Sequence, residues 1–503
     1  MTDLTRRRLA GLMGGASAAA ILAGNVWAQA PARAKDGVLV IGMSLEPPVL
    51  DPNLNAAAAI REVTYLNIYE SLGRIDSKGD VGPGLASKWT VSADGTEYVF
   101  TLRPGLKYHD GEPCDSADVK FTLDRLSAPN ATAPAKSLYA SIASVEAPDA
   151  TTVKVKLKSP DSYFIYNVAL GDAAIMGRKS AETNGTKPIG TGPFTFKERK
   201  EGDSITLAKW PGYRDAASIK LNTVIFKVIK DPAAQVNALL AGDVDTFGAF
   251  QAPELVNRIK ADSRFAVVIG STEGETILAT NNGKAPMNDL RVRQAIAHAI
   301  DRAELVAGEN GFAIPIGSHF PPHNPAYVDL TKTYPLDLAK AKKLLADAGH
   351  PNGFTASLKL PPVGYAQRSG EIIAAQLAKI GIKLTITQLQ WPQWLSEVFK
   401  ERNYDFTIVA HTEANDLDRY ARDGYYWNYT SQAFRDNWKA VLLESDPVKR
   451  IPLLQKAQKI IADDAVNGFL YQLGKIGVWN KNLVGLWENS PTPAVDLSAV
   501  SWK

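Results

Sequence analysis

Two periods of apolar and polar residues follow one another along this chain, and the change from one to the other marks its elements. Residues 38–44, 97–103, 151–158 and 204–229 are rich in β-branched and aromatic side chains and read as strands. Helical spacing begins where Asp231 supplies an N-cap and Pro232 the first helical position. Val236, Leu239 and Leu240 then make one apolar face, and Gly242 ends it. From about Leu290 to Arg302, Val292, Ala295, Ile296, Ala299 and Ile300 recur with the period of a core-facing stripe. Leu338, Ala341, Leu344, Leu345 and Ala348 repeat that pattern and close at Gly349.

The stretch from 354 to 411 alternates in type: strand Thr355 to Leu360, helix about Ser369 to Ile380, strand Ile382 to Gln388, helix Trp391 to Arg402, strand Tyr404 to His411. That order predicts a parallel sheet with helical crossovers. Ile382, Leu384 and Ile386 alternate with Lys383, Thr385 and Thr387, so this strand has one wetter face or lies near an edge. With no long low-complexity linker and no repeat, mixed α/β lobes joined by crossing strands are expected.

Arg6, Arg7 and Arg8 followed by a run of small and apolar residues from Leu9 to Val26 set the first residues apart. They read as an export leader, 1–28, with cleavage after Val26-Trp27-Ala28 and a twin-arginine-like start; an ordinary secretory leader and a membrane anchor are the alternatives. Its removal takes three arginines and Asp3 and brings the formal charge from +3 to +1. So balanced a chain lacks the electrostatic footprint of a nucleic-acid binder. Cys114 is the one cysteine, which excludes an internal disulfide and a cysteine-based zinc site.

Catalytic motifs are missing. Gly283-Lys284 lacks the rest of a P-loop, and Gly190-Thr191-Gly192-Pro193 is no dinucleotide fingerprint. The nearest approach to a nucleophile elbow, Gly270 to Gly274, carries Thr272 at its centre. Of six histidines, His319 and His323 alone have ligand-like spacing; in a Pro-rich loop without a near carboxylate, they read as exposed loop residues rather than a metal site. No metal and no cofactor are expected.

Several segments together resemble the extracytoplasmic solute-binding proteins of family 5, the peptide, opine and nickel class that serves ABC importers. They are Pro47 to Pro52 with Ile68 to Leu72, Pro83 to Trp89 with Asp94-Gly95, His109 to Pro113 with Asp118-Val119 and Phe121, Gly190 to Phe194, and Pro286 to Arg302. Gly190 and Gly192 are read as permitting backbone angles closed to other residues, Arg291 and Arg293 as solvated or salt-bridged surface, and Cys114 as a small buried side chain.

The resemblance implies a two-lobe α/β clamshell of the periplasmic-binding-protein type, with an extra inserted small domain. Lobe I would comprise 29–54, 186–277 and 477–503, the inserted domain 55–185, and lobe II 278–476. It also implies a soluble periplasmic monomer that closes on a short peptide or similar polar solute and docks on permease subunits. An opine, an oligosaccharide, a nickel chelate or haem are alternative cargoes, and an exported hydrolase an alternative function. Because open α/β sheets bind ligands beyond the carboxyl ends of their strands, the loop after His411 is the first candidate site. Asp416 resembles the carboxylate that takes a peptide's α-amino group, or else caps a helix, as does Asp418. Arg368 resembles a carboxylate-binding Arg, or is a helix-surface residue. Trp391 and Trp394 are candidate aromatic walls or core, and Tyr426 and Trp427 candidate lining. His411 closes the set.

Overall fold

The computed structural model describes residue 34 and residues 36–414, 416–444 and 446–503. The leader read at 1–28 lies outside the described residues. A mixed sheet of eleven strands forms the backbone of the molecule. Its order across the main path is Lys383–Gln388, Thr355–Leu360, Phe406–His411, Phe265–Thr280, Asn467–Asn480, Thr246–Phe247, Val38–Met43, Thr223–Val228, Ser204–Lys209 and Phe194–Lys200. The two longest strands, Phe265–Thr280 and Asn467–Asn480, pair antiparallel from Phe265 opposite Asn480 to Ala279 opposite Asn467. They cross from one core to another. Phe265, Ile476 and Val478 pack with Val40, Val236 and Phe247 at one end, whereas Leu278, Leu470 and Tyr471 pack with Ile296, Leu358 and Phe406 at the other. Crossing strands, and not a tether, thus join the two halves. Between Ser271 and Glu275 the register slips, bending the ribbon where it passes from half to half.

In the first half, Val38–Met43 runs parallel to Thr223–Val228. Helix Pro232–Ala241 starts as read: the Asp231 carboxylate accepts from Ala234 N at 2.7 Å, and Gly242 ends it at φ 80°. In the second half, Thr355–Leu360 pairs parallel with Lys383–Gln388 and with Phe406–His411. Lys383–Gln388 is the sheet's exposed edge, which accounts for its wet alternation. A separate antiparallel sheet, Ala86–Val91, Glu97–Leu102, Thr152–Leu157 and Ile142–Asp149, packs against helix Ser116–Ser127. Cys114 is buried there, as expected.

Four local readings change. The helix expected over 290–302 stops at Ala299, because Asp301 caps a new one, Arg302–Gly308, by accepting from Ala303 N and Glu304 N. The helix expected over 391–402 is α-helical only at Trp391–Trp394 and continues as a π-helical turn, Leu395–Lys400. Gly190 and Gly192 are required by close approach and not by unusual angles: a Cβ would stand 1.9 Å from Ile68 O and 2.4 Å from Asn67 O. Arg291 is exposed and paired with Asp289 at 2.6 Å, whereas Arg293 is partly buried and donates to Asp464 O and Met287 O, tying two elements together.

The four-stranded unit also leans on the second half. Ser162 N donates to Leu442 O at 3.3 Å, Tyr163 stacks on Trp438 at 5.9 Å, and the Arg450 guanidinium lies 5.2 Å from the Tyr163 ring centroid. No helix among the described residues is long and apolar enough to cross a membrane.

Candidate functional site

Three neighbouring central strands bring polar residues onto one row. Glu275 stands opposite His411 on one side and opposite Gln472 on the other, and partners in register point to the same face of a sheet. All three are buried. The row lies next to the Ser271 to Glu275 irregularity, so the site sits where the two halves meet.

The segment after His411 folds over this row as a short 3-10 helix, Asp416–Tyr420. One turn of spacing puts Arg419 Nη1 2.7 Å from Asp416 Oδ2, and the same nitrogen donates to His411 Nδ1. Arg419 Nη2 lies 3.2 Å from Glu413. From the Pro-rich loop, His319 Nε2 approaches Asp416 Oδ1 at 2.8 Å. Its tautomer follows from its neighbours: Asn467 donates to the Tyr420 hydroxyl, which donates in turn to His319 Nδ1 and leaves the proton on Nε2. His323 accepts from Gln472 and contacts Glu273 at 2.6 Å. Across the junction, Arg61 holds Asp172 at 2.7 Å and reaches Glu413 at 3.5 Å.

Burial and charge pull these groups apart electrostatically. Burial alone would raise the Asp416 carboxyl; Arg419 and His319 overcome it and hold it well below the usual carboxylate range. Glu275 is also pushed up by burial, and Asp416 and Glu273 push it further, so its neutral form is favoured. Burial drives the His411 imidazole down to about 4, keeping it uncharged. Several buried polar atoms here have no hydrogen-bond partner among the described residues, among them Glu275 Oε2, Asp418 Oδ1, His319 Nε2, Arg419 Nε, Arg61 Nε and the Tyr166 hydroxyl. Tyr166 is near enough to Glu273 and Glu413 to feel both charges. Buried polar groups are almost always paired, so this cluster is the candidate site.

The structure places the expected residues unevenly. Asp416, His411, Tyr426 and Trp427 form one body: the Tyr426 hydroxyl meets His411 Nε2 at 3.1 Å, and Trp427 stacks on Tyr420 at 4.5 Å. Asp418 is gripped by Arg422 at its Oδ2. Trp394 is buried in the aromatic core and donates to Thr407 at 3.0 Å, with the partly buried Trp391 edge-on to it at 5.5 Å. Arg368 forks onto buried Glu309 at 3.0 and 2.5 Å, so its guanidinium serves the contact between helix Gly364–Ala378 and helix Arg302–Gly308. His319 departs from the exposed loop residue expected: it is wholly buried, among Tyr420, Trp427 and Phe469. Sequence reasoning missed Arg61, Tyr166, Asp172, Glu273, Glu275 and Gln472 as site residues. A signal existed for two: Glu273 and Glu275 interrupt a strand whose continuation, Ile277-Leu278-Ala279, is purely apolar.

His319, His411 and Asp416 each offer a ligand atom within 4.8 Å of the others, a spacing fit for a metal ion. The Arg419 guanidinium already supplies the cation there, against both Asp416 and His411. As for hydrolysis, the Thr272 hydroxyl donates to Leu473 O at 2.7 Å and accepts from Gly274 N, a backbone brace and no nucleophile.

Residues 80–434 match the family described as bacterial extracellular solute-binding proteins, family 5 middle. A glutathione-binding protein of Salmonella paratyphi A is 29% identical over 489 residues, 93% of this chain and 94% of that one. The glutathione-binding protein of Pectobacterium atrosepticum is 31% identical over 388 residues, 76% of this chain and 73% of that one. In structure, a periplasmic binding protein from A. tumefaciens R10 in complex with agropinic acid superposes with a TM-score of 0.85 at 28% identity, over 93% of this chain and 99% of that one. A periplasmic binding protein from Helicobacter pylori in complex with the peptide STSA gives 0.83 at 25% identity, over 92% and 98%. The fold is the periplasmic-binding-protein clamshell with a large mixed sheet, and the chain belongs to family 5 of the bacterial extracellular solute-binding proteins.

Proposed function

We propose that this protein is the substrate-capturing component of an ABC importer. Exported to the periplasm, it takes a short peptide or a polar solute of that size between its lobes, closes on it, and delivers it to membrane permease subunits. It works as a monomer and turns nothing over. Lobe I comprises 29–54, 186–277 and 477–503, the inserted domain 55–185, and lobe II 278–476, so that the crossing strands act as the hinge.

The observation that carries this reading is the group of unpartnered buried atoms at the junction, on Glu275, Arg419, Arg61 and Tyr166. They come from the inserted segment, from the end of lobe I and from lobe II, and the Arg61 to Glu413 contact spans the first and the last of these. Groups split in this way meet only when the halves close, which is how a solute's contacts shift the population toward the closed form. Relatives and structural neighbours that bind glutathione, agropinic acid and a peptide agree with it.

The test is mass spectrometry of what leaves freshly purified protein on denaturation. One dominant small molecule is expected, and adding it back to stripped protein should raise the melting temperature. A sample that releases nothing, gains no stability from peptides, opines, sugars or metal chelates, and turns over a substrate would overturn the proposal.

A further inference from the structure

Asp416 is a buried carboxylate at the junction of the halves, where an incoming ammonium group would find its natural partner. It has no room for one. Oδ2 takes the Arg419 guanidinium at 2.7 Å and faces His411 Nδ1 at 3.1 Å, while His319 Nε2 stands 2.8 Å from Oδ1. Arg419 stands three residues along the same short helix, so its positive charge is delivered with little freedom left to lose. The neighbouring carboxylates are engaged too. Glu413 lies between Arg61 and Arg419, Glu273 is held by His323, and Asp418 is forked by Arg422 through Oδ2, which leaves its Oδ1 without a partner among the described residues. Glu275, boxed in by burial and by Asp416 and Glu273, is pushed toward its neutral form.

What is left over points the other way. The buried polar atoms without partners include two guanidinium N–H groups, Arg419 Nε and Arg61 Nε, and the Tyr166 hydroxyl. These are donors. A protonated Glu275 adds a further hydroxyl donor to them. Accepting groups on a solute, above all a carboxylate, complete such a set, and an ammonium group beside Arg419 meets a like charge in a buried setting.

We infer that Arg419 is a specificity-determining residue that fills the ammonium position at Asp416, so that the solute is held through carboxylate or carbonyl oxygens by Arg419, Arg61 and Tyr166 and has no free α-ammonium group. This rests on the reading of the junction as the solute site. It separates an N-substituted amino acid or an acylated peptide from an ordinary free peptide, and names one residue as the cause.

Isothermal titration with an unblocked dipeptide and with the same dipeptide N-acetylated tests it directly. The wild-type protein should favour the acetylated probe by at least about tenfold. In Arg419→Gln, which frees Asp416 while keeping a polar side chain, that preference should shrink or reverse; in Arg419→Lys, which keeps the cation, it should persist. If Arg419→Gln does not fold, the wild-type ratio and Arg419→Lys decide. Wild-type protein that binds the unblocked dipeptide as well as the acetylated one overturns the inference and leaves the solute-binding function standing. Protein that takes neither probe and releases no small molecule on denaturation overturns the function, and the inference falls with it. A released solute that labels as an α-amino acid with a primary-amine reagent overturns the inference alone.

Discussion

Two imidazoles, the partly buried His109 and the buried His411, are both driven down to about 4 and do opposite work. His109 is a staple: one ring nitrogen meets Gly192 O at 3.0 Å, the other accepts from Gly190 N at 3.2 Å, and the ring lies edge-on to Trp210 at 4.9 Å. Its partners are backbone groups and every one of them is matched. His411 stands instead among Asp416, Arg419 and Tyr426, with unmatched polar atoms close by. A depressed imidazole therefore reports burial, not function. Charge in the surroundings, and polar atoms without partners, are what separate the candidate site from a brace.

The sharpest way to break the comparison is at the charge cluster. Asp416→Ala leaves Arg419 buried beside two imidazoles, and losing one member of a buried ion pair costs about 3–5 kcal/mol. The double variant Asp416→Ala/Arg419→Met should recover a large part of that loss in urea unfolding, which a simple packing role for Asp416 would not allow. Lost binding in Asp416→Ala reports lost structure as well, so the binding question passes to Arg419.

Acid titration comes next. Each imidazole is held at about 4 in the folded chain against an ordinary 6.5. Above 6.5 both are neutral whether or not the chain is folded. As pH falls the unfolded chain takes up protons first, so stability is lost between 6.5 and 4, by up to ~3 kcal/mol for each ring. His109→Gln and His411→Gln should each flatten that decline in melting curves recorded from pH 7 to 4. Only His411→Gln should also weaken solute binding; an equal effect on binding from His109→Gln would erase the distinction drawn between the two.

The same division explains how much could be read in the chain. Elements with local causes were legible: Asp231 and Gly242 bracket their helix, and the edge strand shows its wet alternation. The loop after His411 was found because a strand end points to it. Its partners were not, because they are remote in sequence: Arg61 reaches Glu413 across 352 positions and Asp172 across 111. His319 looked like a loop residue because its loop is rich in proline, yet the loop folds inward against Phe469 and Trp427. Even the close approach at Gly190 depends on Ile68, which no short-range pattern reveals.

Glu275 gives the smallest expected effect and the one with the opposite sign. Burial, and then Asp416 and Glu273, hold its carboxyl well above the ordinary 4.5, so the folded chain keeps a proton that the unfolded chain releases. Stability is then full below about 4.5 and is lost as pH rises toward the folded value. Glu275→Gln removes the titration while keeping size and shape. The variant should match wild type at pH 4 and exceed it at pH 8, a gain from a buried polar substitution where a loss is the rule. A variant weaker than wild type at pH 8 would mean that Glu275 is ionised and countered by a cation, and the donor set argued for the solute would lose its hydroxyl.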